Sequence, residues 1–535
     1  MIRQAVHQGI RRRFSLAGVK VAPSKTIDAA AASSSYMEQL EGEWNTAKPF
    51  EEIPGPTRWQ LWRGFQKGGE FHHLDMAELM ELYQTRFGDM CRVPGLFGMP
   101  TTVFTFKVEN FERIYRTEGQ WPVRGGADPV LHYRANRKDG FFKDCVGLFS
   151  NGPEWGRLRS AANPVLMQHR NVDLYLEPMQ RVNTQFIDRI RAIRDKESQE
   201  MPGDFLDTIN TLTFESVAVI ALDRELGLLR AASIEQRPEA KELFRNIKIF
   251  LQSFFELGMK PSVYKYISTP TYRRFSQASD VIFDTCSMYV NEAVARIDGQ
   301  SAAERLGRRS ILEQLLQINR KFAVVMAMDM LMGAVDTTSS ALTGILLSLA
   351  KNPQQQQKLR EEIVSMLSQP DRQFTQSEMK SLPYLRACIK ESMRMFPVTF
   401  GNLRSAGTDV VLDGYRIPQG TNLLMLSTNM MRDERFYPRP NEFLPERWIR
   451  PQGDDSTESL LRNNLNPFAY LPFGFGPRMC VGKRIVDLEM ELTVANLVRN
   501  FHIEFNYPTE KAFNRSFLNM PIIPLRFKFT DVKYS

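Results

Sequence analysis

The stretch LPFGFGPRMCVGKR, residues 471–484, surrounds a single cysteine, Cys480, with glycines, prolines and phenylalanines. Glycine and proline break regular structure, so the chain is held here in a shaped loop. Gly476 and Gly482 let backbone approach the sulfur, and N–H groups aimed at it would stabilise a thiolate. Arg478 adds positive charge two residues away, and Phe473 is placed to shield the sulfur from water. A shielded, stabilised lone thiolate suits a proximal metal ligand. The bland alternative is a packed, inert thiol.

Two more clusters carry polar groups where an apolar helix would not want them. MGAVDTTSS, residues 332–340, interrupts a long apolar run and is followed by apolar Ala341–Leu349. Serine and threonine hydroxyls compete for backbone carbonyls and bend helices. Asp336 and Thr337, an acid beside an alcohol at such a bend, could relay protons; a helix end turning to solvent is the alternative. In KESMRM, Glu391 and Arg394 share a helix face at i, i+3. The downstream FLPERW offers Arg447 as a third partner. Buried, the three would fix the Cys480 loop against this helix; exposed, the pair is worth at most ~1 kcal/mol.

Helices must position these groups. Apolar spacing predicts helices over Asp75–Phe87, Val108–Glu118, most of Pro153–Arg194, Phe205–Leu222, Ser310–Leu349, Pro353–Leu367 and Leu382–Phe396. Thr375 and Glu378 form a capping-box pattern. Val103–Phe106 reads as a strand, Val410–Ile417 as a hairpin turning at Asp413-Gly414, and a strand region follows around Ile522–Phe529. The fold class is mainly α with a small β portion, in one large domain.

The net charge of +8 suggests a polyanionic partner, but residues 1–27 hold Arg3, Arg11, Arg12, Arg13, Lys20 and Lys25 and no acid. Without them 63 basic residues face 61 acidic ones, and nucleic acid is not expected. Ile2, Val6, Ile10 and Phe14 recur every four residues beside arginines, the pattern of a mitochondrial transit peptide; a disordered basic tail is the other reading. The expected division is 1–35 transit peptide and linker, 36–53 a proline-containing lead-in, and 54–535 the main domain. No run of about 20 apolar residues suggests a spanning helix. The five cysteines are scattered, with no Cys-x-x-Cys, so neither a disulfide framework nor a zinc ribbon is expected.

The chain resembles the cytochromes P450, haem-thiolate monooxygenases. Phe473-x-x-Gly476-x-Arg478-x-Cys480-x-Gly482 matches the haem-loop pattern at every fixed position. Glu391-x-x-Arg394 with Arg447, Ala334-x-Asp336-Thr337-Thr338 and Trp155-x-x-x-Arg159 match further family motifs in the family's order, from about Pro54 to Phe529. The resemblance implies haem b as cofactor, with Cys480 as axial iron ligand. It implies Thr337 and Asp336 as the proton-delivery pair. Trp155, Arg159, Arg404 and Arg478 become haem-propionate partners, and Glu391, Arg394 and Arg447 a structural triad. The implied reaction inserts one oxygen atom from O2 into a lipophilic substrate.

The leader resembles mitochondrial members, which take electrons from an acidic two-iron ferredoxin and its NADPH-dependent reductase. Arg386 and Lys390 stand where those members dock the ferredoxin, with Lys483 and Arg484 beside the haem loop. A solvated helix face is the alternative. HYRANRKDGFF and NGPEWGRLRSAANPVLMQ resemble insect mitochondrial members tied to xenobiotic metabolism, numbered family twelve. Related insect enzymes hydroxylate ecdysteroids, so xenobiotic and steroid substrates both stay open. The resemblance places substrate contacts on Pro129–Leu148, the Met328–Thr337 helix face, Val398–Asn402 and Leu518–Ile522. Phe250, Leu251, Phe254, Phe255 and Leu257 read either as core or as a loop dipping into the inner membrane from the matrix side. A haem-thiolate isomerase, a non-catalytic haem protein and a packed thiol without haem are the competing functions.

Overall fold

A computed structural model describes residues 42–96, 99–230, 237–259, 262–299, 309–367, 372–449, 466–515 and 518–534. The basic leader and the 29–35 linker lie outside the described residues. Caps in the sequence set the helix ends. Helix α1, Met76–Phe87, opens on a capping box made by Asp75 and Glu78 and stops at Gly88, whose φ is +87°. Strands β1, Met90–Val93, and β2, Thr102–Thr105, pair antiparallel before α2, Val108–Thr117. Helices α3, Asp128–Asn136, α4, Gly152–Leu166, α5, Leu176–Ile193, and α6, Phe205–Ala221, follow. Then come α7, Pro238–Met259, and α8, Pro270–Asp298, which pack on each other.

The expected helix over Ser310–Leu349 is two helices. Asn319 is extended, at φ −171° and ψ 142°; it closes α9, Ile311–Ile318, and its side chain accepts the Lys321 N–H to cap α10, Arg320–Lys351. Asparagine competes with helical backbone hydrogen bonds and so favours caps. With 32 residues α10 is about 48 Å long. It is long and apolar enough to cross a membrane, but 78% of its most apolar window is buried inside the protein. It is the core axis, contacting α6, α7, α8, α9, the helix that follows it directly and two helices further along the chain. Those are α12, Pro383–Met395, which follows α11, Pro353–Met366, and α13, Lys483–Asn500. The polar cluster lies inside as expected: Thr338, Ser339 and Ser340 are buried, and the helix runs on without a break.

Strand β3, Asn402–Ser405, joins a four-stranded sheet in the order β1, β2, Asn422–Met425 (β6), β3. Between them β4, Val410–Leu412, and β5, Tyr415–Ile417, form the expected hairpin, with Asp413 and Gly414 both at positive φ. Strand β6, Asn422–Met425, runs parallel to β2 and antiparallel to β3. After α13, β7, Phe501–Glu504, precedes a hairpin of β8, Phe513–Arg515, and β9, Asn519–Pro521; β10, Lys528–Asp531, returns to β7. The strand region expected around Ile522–Phe529 is irregular from Ile522 to Phe527, between the end of β9 and the start of β10, and Pro524 there offers no N–H to a ladder.

One alternative is settled by packing. Phe250, Leu251 and Leu257 are buried, and Phe254 and Phe255 pack against the same core. This segment of α7 is core, not a loop that dips into a bilayer.

Candidate functional site

The loop before α13 holds Cys480 from both sides. Its N–H donates to the Phe473 carbonyl at 2.9 Å, and its sulfur accepts the Gly482 N–H. Phe473 therefore meets the cysteine through its main chain; the Lys483 ammonium lies 5.0 Å from its ring centroid. The two glycines act differently from each other. Gly482 has φ −84°, which any residue tolerates. Gly476 has φ +72°, and a Cβ there would come 2.7 Å from Glu118 Oε1. Gly476 thus shapes the turn instead of admitting backbone to the sulfur.

Cys480 is exposed although protein surrounds its sulfur closely. Burial pushes the thiol above its ordinary pKa, while the Gly482 N–H, Arg159 and Arg124 pull it back. The chain alone therefore does not stabilise a thiolate, contrary to the expectation, because desolvation outweighs one N–H and two nearby cations. A coordinated metal deprotonates a thiol outright. Nor is Arg478 among the charges acting most on the sulfur. It donates to the carbonyls of Pro122 and Ser150, both at 2.8 Å, and to Asn151 Oδ1 at 2.5 Å. Its guanidinium lies 3.8 Å from the centroid of the buried Trp155 ring.

Four arginines converge near the loop. Burial and the charges of Arg124, Arg404 and Arg159 lower Arg478 to about 9. Burial, opposed by Cys480, lowers Arg159 to about 10. Arg159, on α4, donates to the Met479 carbonyl at 2.7 Å, and its buried Nε has no partner. Arg404, on β3, is buried and pairs with Glu118 at 2.7 Å. Arg124 is the residue that motif reading missed. Its main chain bonds the Asn151 side chain, but its guanidinium has no partner among the described residues. Its side chain is solvent-exposed, yet the protein packed round it, with the charge of Arg404, lowers its pKa. With Arg159, Arg404 and Arg478 buried beside it, a cation cluster with one carboxylate near it is costly unless anions join it. Such a set fits the two propionates of a haem, with Cys480 presenting its sulfur to the iron.

On α10, Gly333 is accessible although most of the helix is buried, and a Cβ there would meet nothing within 4 Å. Thr337 lies one turn on and donates to the Gly333 carbonyl at 2.9 Å and to that of Ala334 at 3.2 Å. Asp336 is half-buried, and desolvation, opposed by Lys248, raises its pKa to about 6. Two expected substrate-lining segments meet on the same helix: Asn519 donates to the Val398 carbonyl, and Ser340 donates to the Asn519 carbonyl.

The family model for cytochrome P450 matches residues 53–529. The chain belongs to the cytochrome P450 family. It is 66% identical over all 535 residues, 100% of both chains, to "Probable cytochrome P450 12c1, mitochondrial" of Drosophila melanogaster. It is 44% identical to "Cytochrome P450 CYP12A2" of Musca domestica, covering 94% of each. The structure resembles that of a retinoic acid-bound cyanobacterial cytochrome P450, CYP120A1, with a TM-score of 0.69 at 19% identity, covering 90% of this chain and 99% of that one. The chain is thus a monooxygenase of the mitochondrial family-twelve type, with haem b as cofactor.

The remaining residues singled out in the sequence fall into two groups in this cytochrome P450. Glu391, Arg394 and Arg447 are bonded together, Glu391 and Arg394 fully buried. Arg386, Lys390, Lys483 and Arg484 line one groove of about 510 Å³ with Phe473 and Met479. The groove is less basic than the four residues suggest. Arg386 bonds Glu491 at 3.1 Å and the Met379 and Lys380 carbonyls, and Lys483 pairs with Asp487 at 2.6 Å. Counting Lys380 and Asp173, five cations face three carboxylates there.

Proposed function

We propose that this cytochrome P450 oxidises lipophilic small molecules, xenobiotics first among them, with Cys480 as iron ligand and a two-iron ferredoxin as electron donor. The observation that carries the reading is the exposed Cys480, its sulfur bonded by the Gly482 N–H beside an arginine cluster short of anions. When bound, the haem supplies O–O bond cleavage, which a thiolate ligand favours by donating electron density. Arg124, Arg159, Arg404 and Arg478 hold the propionates, with Trp155 supporting Arg478. Phe473, Gly476 and Gly482 shape the loop. Thr337 holds a proton donor close to the Gly333 opening. Asp336, with a pKa near 6 and the Lys248 charge acting on it, takes up and releases protons close to neutral pH. The apolar face of α10 keeps bulk water out.

The groove beside Lys390 and Lys483 is the docking face for the ferredoxin. Its modest excess of positive charge gives steering that salt weakens. Reversing Arg386 and Lys390 to glutamate is expected to raise the apparent KM for a two-iron ferredoxin roughly tenfold at low salt. An unchanged KM there would remove the docking assignment. Thr337→Ala is expected to divert most reducing equivalents to hydrogen peroxide, measured as product formed per NADPH consumed; unaltered coupling would remove the proton role.

Contact with the inner membrane, if it follows the exposed apolar residues, involves Trp59, Trp62, Phe65, Val263, Tyr266 and Ile267 instead of α7. Trp59 and Trp62 stack on each other at 5.0 Å beside Arg58 and Arg63, a combination that suits an anionic interface. Substrate class is tested by turnover of a panel of lipophilic compounds, xenobiotic and steroid, with ferredoxin and reductase, the products identified by mass spectrometry.

A further inference from the structure

The apolar run of α10 is interrupted by Asp329, which lies two helical turns before Thr337, on the face that also carries Gly333. Its carboxylate is fully buried and pairs with Arg134 of α3 at 2.5 Å, the two side chains 0% and 1% exposed. Both partners also grip the same short piece of backbone. Arg134 donates to the Val146 carbonyl at 2.6 Å, and Asp329 Oδ2 accepts the Leu148 N–H at 2.6 Å. Between them Gly147 sits at φ +93°, where a Cβ would come 2.1 Å from Arg134 Nη1 and 2.5 Å from Asp329 Oδ2. Three consecutive residues are thus moulded onto one ion pair. The Arg134 guanidinium also lies 5.1 Å from the Phe142 ring centroid and 5.8 Å from that of Phe149.

The same backbone is tied at its other end. Ser150 and Asn151 accept from Arg478, on the loop that carries Cys480. Residues 146–151 therefore form a strap from α10 to the cysteine loop. Leu148 and Phe149 sit at its centre, half-buried against the core. A buried ion pair is a poor way to gain stability, because desolvation offsets most of the attraction. What this pair supplies is a position for the strap.

We propose that Asp329 and Arg134 are positioning residues that fix the strap 146–151, and with it Leu148 and Phe149, as one wall of the space left open at Gly333. The inference rests on the reading of that space as the haem's substrate side. A preformed wall favours a large apolar ligand because less ordering remains for binding to impose. It matters little to a ligand that reaches the iron and nothing else.

The test uses the haem-loaded protein and two probes, imidazole and the bulky triarylmethyl imidazole clotrimazole, titrated by the spectral shift on iron binding. Arg134→Met and Asp329→Leu are combined, so that neither charge is left buried alone. The expected result is a clotrimazole Kd raised about tenfold with the imidazole Kd within about twofold of wild type. Amide exchange over 146–151 rises by a similar factor, with haem content retained. Unchanged clotrimazole binding and unchanged exchange in the double variant would overturn the proposal, as would equal loss of both probes. Absence of any imidazole shift in the wild-type protein would instead overturn the haem-site reading, and this one with it.

Discussion

Cys480→Ser is expected to abolish the red-shifted Soret band that a thiolate-ligated haem gives when reduced and exposed to carbon monoxide. A serine hydroxyl is a harder donor and stays protonated where a metal-bound cysteine does not. Residues that only support a metal ligand typically cost about 10–100-fold in metal affinity when removed, so losing the ligand itself should cost at least that. The fold should survive. Cys480 makes its one main-chain donation to Phe473, and serine keeps it. Gly482→Ala is the internal control: at φ −84° an added Cβ meets Cys480 Sγ at 3.9 Å, an ordinary contact, and the N–H to the sulfur remains. A serine variant with the wild-type band would overturn the ligand assignment. An alanine variant that loses the band would mean that a neighbour outside the chain, such as the haem itself, needs the space at Gly482.

Local spacing made one part of this site legible and distance in sequence hid the rest. Glu391 and Arg394 share a turn, so their pairing could be read directly, and the 471–484 loop declared itself by its glycines. Thr375 with Glu378, and Asp413 with Gly414, were readable for the same reason: a cap or a two-residue turn is decided by neighbours. Arg404 meets Glu118 across 286 residues and Arg134 meets Asp329 across 195. Only packing brings such partners together, and a lone arginine like Arg124 has no pattern around it to find. Asn319 could have been suspected, since asparagine is a poor helix interior residue, but apolar residues on both sides masked the break. Proximity of N–H groups and arginines to the sulfur is visible in sequence, whereas the desolvation that opposes them is not.

Glu391→Gln is expected to destabilise the protein by about 3–5 kcal/mol, the range for removing one partner of a buried ion pair. As a surface pair, Glu391 with Arg394 would be worth at most ~1 kcal/mol; burial decides between the two. Glu391 Oε1 accepts from Arg394 at 2.9 Å, from Arg447 at 2.9 Å and from the Leu444 N–H at 3.1 Å. Oε2 accepts from Arg394 at 3.0 Å and from the Trp448 indole at 2.9 Å. Five donors converge on one carboxylate. Glutamine presents one oxygen and an NH2 group to that set, leaving two guanidinium groups without an anion. With total stabilities commonly about 5–15 kcal/mol, much of the variant should fail to fold. The loss should reach the cysteine loop as well, because Trp448 packs on Tyr470 at 4.6 Å and the Tyr470 hydroxyl donates to the Lys390 carbonyl on α12 at 3.1 Å. The measurement is soluble yield and the urea midpoint, read with helical circular dichroism and haem content together. In this variant helix and haem should disappear in parallel, whereas Cys480→Ser should lose the thiolate band with its helices intact. A glutamine variant that unfolds at the wild-type urea midpoint with full haem content would show that the triad does not hold the loop in place.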